Sequence, residues 1–533
     1  MKVRNEHISY TATGAFSKLV NAYSTDPDIF ASLGIKPVSL DGIAKTIQER
    51  ASVPVNRTVL VEQLKQQYEG VAHSSSTATN IERLLSAQTF TITTAHQNNL
   101  FTGPLYFIYK ILHVIKLAKL CNESFPAYHF VPVFYVGSED ADLAELNHIN
   151  LENHTLRWDT QQSGAVGRMR VDEALQQLIQ QLEGEIGVLP YGLEWSKLLK
   201  ECYRSGTTIA AATFELVNRL FGKYGLVVLN PDAAALKRLF VPTMRKDLQS
   251  ETTVHSIQPS IDWLHQQGYT AQAYVRPINL FYLQENSRQR IEKIGEQWQV
   301  VGTQLRFDEA SLENELAQHP ERFSPNVILR GLYQCTILPD VAFVGGGSEV
   351  AYWLQFPELF KTHQIPFPVL VLRNSWLLVS AAIEKKLKQL AISPADLFQD
   401  WNYLASRFFS AEEQELLSLA AEIRRVEQFY KDLQHRVAKV DTTLVAHVAA
   451  LEKKAKHPLE ALEKKLKRAL QKKYGEQTLQ LRVAQAALFP NGSLQERHTN
   501  CSEFFAAYGW EWLDLLLASS GCLEQQFTIQ YLP

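Results

Sequence analysis

A chain of 533 residues, 46% apolar and 20% charged, is long enough for one large core with additions, and its composition is that of an ordinary globular protein. Its 53 basic and 56 acidic side chains leave a net charge of −3, which argues against nucleic acid as the main partner. No apolar run approaches the roughly 18–20 residues of a membrane span, MKVRNEHISY at the start lacks an apolar signal region, and five scattered cysteines show neither CxxC nor Cys/His metal spacing. The expectation is a soluble, reduced, cytoplasmic protein that contacts no membrane.

Residues 1–80 read as helical and loop-like, with VAHSSSTATN (71–80) as a connection. From about 86 to 150 the pattern is strand, helix, strand. Thr91, Ile92, Thr93 and Thr94 end a buried strand, and His96, Gln97, Asn98 and Asn99 form a polar turn. Thr102-Gly103-Pro104 then opens an amphipathic helix carrying Lys110, with Thr102 as N-cap and Pro104 in the first turn. Open α/β sheets present backbone N–H groups to anions at such strand–loop–helix junctions. Neither a Walker lysine loop nor GxGxxG is present, so a nucleotide held here needs another pattern.

Phe130–Val136 is nearly all apolar, as a strand covered on both faces must be, and it runs into the acidic Gly137–His148 segment. Residues 151–215 are more polar and read as an inserted lobe. Tyr224–Asp232 repeats the design, an apolar strand with a polar end, and a helical stretch with Lys237 and Arg245 follows. A second lobe, about 245–325, mixes short strands with charge. Leu338–Val344 is the next strand, followed at once by Gly345-Gly346-Gly347-Ser348-Glu349 and a helix. Phe367–Leu372 ends in Arg373-Asn374-Ser375. Apolar strands alternating with helices predict an α/β fold with a parallel sheet whose polar strand ends share one ligand-binding edge.

Beyond about residue 385 the pattern changes. Leu416, Leu419, Ile423, Val426, Tyr430, Leu433, Val437, Val440, Leu444, Val448 and Leu451 step by three and four, a heptad seam. His457-Pro458 is expected to break it, and Leu459, Leu462, Leu466, Leu470 and Tyr474 resume a helical stripe. This predicts a helical, antiparallel coiled-coil arm over 386–487, following a core of 1–385, with 488–533 packing back on that core. Lysines along the arm interleave with Glu452, Glu460 and Glu463 and read as a solvated face.

LFTGPLYFIYK, VPVFYVGSEDADLAELNHINL, VGGGSEVAYWLQF, PVLVLRNS and PNGSLQER, in this order, resemble the bacillithiol biosynthesis cysteine-adding enzyme family (BshC) from about residue 85 to the C-terminus. The resemblance implies a Rossmann-like core with some likeness to class I aminoacyl-tRNA synthetases, and a coiled coil that makes a homodimer. It also implies a ligase that joins cysteine through its carboxyl group to the amine of glucosaminyl-malate. Forming an amide from a free carboxylate is uphill in water, so ATP is the implied cosubstrate, with Mg²⁺ as its possible companion. The chain departs from the family pattern at Ala95, where a glycine is common, at Ser348, and at Cys335, where an acid is expected. A scaffold with a degenerate pocket is the alternative those departures raise.

On this reading the loop 94–103, with Gln97, Asn98, Thr102 and Gly103, binds phosphate or carboxylate, and His96 donates to a phosphoryl oxygen. Glu139 and Asp140, with Asn147 and His148, receive an ammonium, bind sugar hydroxyls or take the amine's proton. Asp140 and Asp142 are the candidate magnesium ligands. Gly345, Gly346 and Gly347 permit close backbone approach beside Glu349. Lys110, Arg330 and Arg373 are the candidate partners for the malate carboxylates or phosphate. Tyr106, Tyr109 and Tyr352 read as core, and the five cysteines as structural.

Overall fold

The computed structural model describes residues 3–152, 154–409, 413 and 417–533; Leu416 of the heptad seam lies outside them. Two compact units are present. One runs to Leu378 and takes in Ser493–Gln530, and the other comprises Val379–Gly492 with Tyr531–Pro533.

In chain order the principal strands of the first unit are β1 (Thr89–Gln97), β2 (His129–Gly137), β3 (Val227–Leu229), β4 (Leu280–Gln284), β5 (Ser287–Ile294), β6 (Gln297–Val300), β7 (Arg306–Phe307), β8 (Phe323–Pro325), β9 (Asp340–Gly345) and β10 (Val369–Leu372). A parallel sheet has the order β10-β9-β1-β2-β3, and an antiparallel sheet the order β7-β6-β5-β4-β8. The parallel strands are buried along nearly their whole length because helices cover them, which is why they read as unbroken apolar runs. One face packs Phe90, Ile92, Phe130, Val344 and Val369 against Ile43, Ile47, Val114 and Leu117. Those last four lie on the helices Leu40–Ala51 and Tyr106–Ser124.

Several elements differ from the sequence reading. His96 and Gln97 are not turn residues; they end β1, in register with Val136 and Gly137 of β2. Ala95 is extended and opposite Tyr135, without a positive φ, so alanine is unstrained there. The helix after β1 starts at Tyr106, not at Thr102, and Leu105 precedes it without a side-chain cap. Thr102 cannot cap because the chain turns left-handed there, with φ of 48°, 72° and 60° at Phe101, Thr102 and Gly103. Asn500 holds this turn, donating from Nδ2 to the carbonyls of Phe101 (3.1 Å) and Gly103 (2.6 Å). A Cβ at position 103 would lie 2.5 Å from that of Asn99, so only glycine fits.

VAHSSSTATN is more than a connection: Ser74 caps the helix Ser75–Arg83, accepting the N–H of Thr77 at 3.0 Å. The stretch after 151 is also more regular than expected, with helices at Glu173–Ile186, Gly192–Cys202 and Ile209–Phe221. In the first two, long polar faces disguise the helical period in the sequence. Cys335 is buried with its thiol 3.7 Å from Asp340, which starts β9. That carboxylate accepts the hydroxyls of Thr91 and Thr93 and, at 2.8 Å, the Gln334 amide.

In the second unit the helices Ala420–Ala438 and Leu444–Lys473 form an antiparallel coiled-coil hairpin. Lys456 pairs with Glu427 at 3.0 Å, and Gln434 donates to Glu452 at 3.3 Å. The reversal comes at 439–443, where Asp441 accepts the Thr443 N–H at 2.8 Å, and not at His457-Pro458. Val440, a seam residue by spacing, sits in that turn and is 84% exposed. Pro458 lies inside the helix, which continues through it because proline removes only one N–H and the partner helix supports the flanking turns.

Candidate active site

The C-terminal edge of the parallel sheet opens into a cavity of about 730 Å³. Strand order sets what lies where. The tips of β9 and β10 bring Gly346, Gly347, Glu349 and Arg373 to one end, β1 brings His96 and Gln97 to the middle, and β2 brings Glu139 and Asp140 to the other end. The antiparallel sheet and its approach add Arg276, Phe281, Arg288 and Asn326 as a wall. This is where open α/β sheets bind ligands.

At the first end, Glu349 Oε2 accepts from Lys110 Nζ at 2.6 Å and from the Gly346 N–H at 2.8 Å. Lys110 also donates to the Ala95 carbonyl at 2.5 Å and is 1% exposed; burial lowers the pKa of its ammonium, and Glu349 opposes that. Lys110 therefore locks the helix Tyr106–Ser124 to the glycine turn, and no donor of its own reaches the cavity lining. Arg373 lines the cavity, but its fork is committed to Glu496, with N–H···O distances of 3.0 and 2.8 Å. The pair builds the wall at this end of the cavity.

In the middle, the Nε2 of His96 is buried with no partner, and the ring lies edge-on to Tyr106 and Phe107 at 5.2 and 5.5 Å. Burial, and then the positive charges of Lys110, Arg330 and Arg373, push its pKa well below the usual imidazole range. His96 is neutral at physiological pH. The Gln97 amide is taken up by Asp140, donating to Oδ2 at 2.8 Å. Arg330 donates to the Tyr352 hydroxyl at 2.9 Å.

At the far end Glu139 is bound by Lys237, which is fully buried and also donates to the Phe323 carbonyl at 2.6 Å. Burial raises the pKa of Glu139 while Lys237 opposes the rise. Its carboxylate is held in that ion pair, whereas Asp140 meets no cation at ion-pair distance among the described residues. Asp140 also accepts the Asp142 N–H, and Asp142 accepts the Glu145 N–H at the start of a short helix.

Asn98, Thr102, Asn147 and His148, like Lys110, do not line the cavity. Asn98 is fully buried with both amide atoms unpartnered, and Thr102 packs its hydroxyl 3.2 Å from the Cys501 thiol. Asn147 accepts from Arg157 at 3.1 Å and donates to the Trp158 carbonyl, and His148 leans on Asn147. Gly103 and Gly345 are likewise behind the lining, Gly345 accepting the Arg373 N–H.

The sequence reading missed Arg276, Arg288 and Arg497, and placed Tyr106 and Tyr352 in the core although both face the cavity. Tyr109 alone of that trio is core, packed on Trp376. Among the described residues Arg276, Arg288, Arg330 and Arg497 have no carboxylate at ion-pair distance, although all four line the cavity. The arginines in Arg288-QRIEK alternate along a strand, and that alternation was the available signal.

Two family models cover the chain: "Bacillithiol biosynthesis BshC, N-terminal Rossmann-like domain" over residues 1–374, and "Bacillithiol biosynthesis BshC, C-terminal coiled-coil domain" over 376–532. The chain is 38% identical over 524 residues to a Flavobacterium johnsoniae protein described as "Putative cysteine ligase BshC", covering 98% of each. Relatives with the same description from Flavobacterium psychrophilum and Cytophaga hutchinsonii are 36% and 37% identical, covering 98% and 94% of each chain.

Proposed function

Because this chain belongs to the bacillithiol biosynthesis BshC family, we propose that it is a cytoplasmic ligase that joins L-cysteine to the amine of glucosaminyl-malate, with ATP as cosubstrate. One observation carries the reading. A single cavity at the ligand-binding edge of a Rossmann-like sheet combines four arginines free of carboxylates with the carboxylate of Asp140. Such a lining suits reactants that are polyanions and amines at once.

In this reaction a carboxylate oxygen of cysteine attacks a phosphorus of ATP; a P–O bond of the phosphate chain breaks, ADP or pyrophosphate leaves with the electron pair, and an acyl phosphate or acyl adenylate, respectively, is formed. The amine of glucosaminyl-malate then attacks the acyl carbon, the phosphorylated group leaves with its electron pair, and the amine's proton passes to Asp140. His96, being neutral, holds one N–H that it can donate to oxygen where charge develops. Gly346 keeps the backbone of its turn bare toward a phosphate, and Glu349 and Lys110 hold that turn still. Magnesium would enter with the nucleotide.

The test is deletion of the gene in its host, thiol analysis by mass spectrometry, and complementation with wild type or with Asp140→Asn. Accumulated glucosaminyl-malate, lost bacillithiol and rescue by wild type alone are expected. Unchanged bacillithiol in the deletion strain would overturn the reading.

We further infer a homodimer through the hairpin, because Phe429, Leu444 and Leu462 are 62%, 43% and 45% exposed along it. Light scattering should give twice the chain mass, and removal of 420–473 should halve it; a wild-type monomer would sink the idea.

A further inference from the structure

The free arginines are not spread evenly over the cavity. Arg288 and Arg276 belong to the inserted antiparallel sheet and its approach, and Arg288 lines the same end as Glu139 and Asp140. Arg288 is held as a fixed platform. Its guanidinium lies over the Phe281 ring at 4.0 Å, Nε donates to Ser324 Oγ at 3.1 Å, and one terminal nitrogen donates to the Pro325 carbonyl at 3.1 Å. A guanidinium has five N–H donors, so three stay unused beside the cavity. Burial disfavours its charge and the Glu139 and Asp140 carboxylates favour it, yet neither forms an ion pair with it.

A site with an immobilised arginine next to carboxylates is unsuited to a triphosphate, which the acids would repel. It is suited to a ligand carrying both signs. Resting on the ligase reading above, we infer that Arg288, with Arg276, forms the subsite for the malyl dicarboxylate of the sugar substrate, while Asp140 faces its amine. Carboxylates fit a guanidinium edge in paired, parallel hydrogen bonds, and pinning the side chain in advance removes the entropy cost of ordering it. The β9–β10 end, with its glycine turn, is then left to the nucleotide. Arg288 is thus a specificity residue: it selects the acidic aglycone and stays out of the phosphoryl chemistry.

The test is calorimetric titration of the full-length protein with glucosaminyl-malate, methyl glucosaminide, malate and ATP separately. Wild type, Arg288→Gln and Arg288→Lys are compared after matching their melting profiles. Arg288→Gln should weaken glucosaminyl-malate and malate by at least about tenfold, with ATP and methyl glucosaminide within about twofold of wild type. Arg288→Lys should recover only part of the loss, since an ammonium lacks the fork. Loss of ATP binding with glucosaminyl-malate unchanged would overturn the assignment, as would loss of all ligands in parallel. Failure of the ligase reading looks different: malate binding would still depend on Arg288 while bacillithiol in the host did not depend on the gene.

Discussion

Arg373 and Glu496, 123 residues apart in sequence, meet through two N–H···O bonds and are 5% and 0% exposed in their side chains. Glu496 also accepts the Ser375 hydroxyl at 3.1 Å and the Trp376 N–H at 3.2 Å, so its carboxylate is saturated. Truncating one member of such a pair strands the other charge in the interior. Glu496→Ala should destabilise the first unit by about 3–5 kcal/mol, read as a fall in the urea midpoint. Glu496→Gln should cost less because it keeps part of the hydrogen bonding. A variant as stable as wild type would mean that water reaches Arg373.

His113 gives a pH dependence of known sign. Its Nδ1 accepts the Asn374 N–H at 3.1 Å, so the ring proton sits on Nε2, 2.7 Å from the Cys522 carbonyl. Burial pushes the imidazole down to about 4 from 6.5. Between those values the unfolded chain binds the proton and the folded one does not, so stability falls as pH drops from about 6.5 to about 4. The loss due to this residue is roughly 3 kcal/mol. His129 and His363 are also pushed down to about 4, so only a difference isolates the effect. His113→Gln should flatten the urea midpoint in that window relative to wild type; an unchanged slope would show that His113 titrates normally.

Ala95→Gly restores the residue common in the family, yet it should gain nothing. Ala95 is extended, 1% exposed and opposite Tyr135. Glycine there adds backbone freedom to the unfolded chain and should cost about 0.5–1 kcal/mol. Complementation of a deletion strain should match wild type. A clear rise in bacillithiol would show that backbone freedom at this position limits turnover.

Pro458 sits exposed within Leu444–Lys473. Proline in a helix interior costs about 3 kcal/mol relative to alanine. Pro458→Ala should raise helical ellipticity slightly and delay melting of the hairpin, with thiol output unchanged. Earlier melting would mean that proline at this position supports the packing at Glu427 and Lys456.

The parallel strands were legible because both faces are buried, and a run as apolar as Val131–Val136 suits little besides a strand covered on both sides. Glu349, Gly346 and Asp140 could be placed at the site because strand ends in such sheets converge. What could not be read depends on distant partners. Gln97 belongs to a strand only because Gly137 lies opposite it, and Thr102 loses its cap role to a turn held by Asn500. Lys110 and Arg373 looked like free cations until Glu349 and Glu496 were found against them. The hairpin seam was legible, but its reversal was not: a proline is a louder signal than Asp441-Thr442-Thr443, although the shorter motif makes the turn.

The left-handed turn at Phe101–Gly103 is closed by Asn500, and the cavity wall at Arg373 by Glu496. Both closing residues emerge from the ribosome after the coiled-coil hairpin has been made. The Rossmann-like strands are complete by residue 372, yet the chain must keep that half-built edge open while more than a hundred further residues are synthesised. The cavity edge therefore sets only after the hairpin has been made. A nascent chain stalled within the hairpin would expose a buried arginine and an unset turn, the kind of surface that chaperones and proteases recognise.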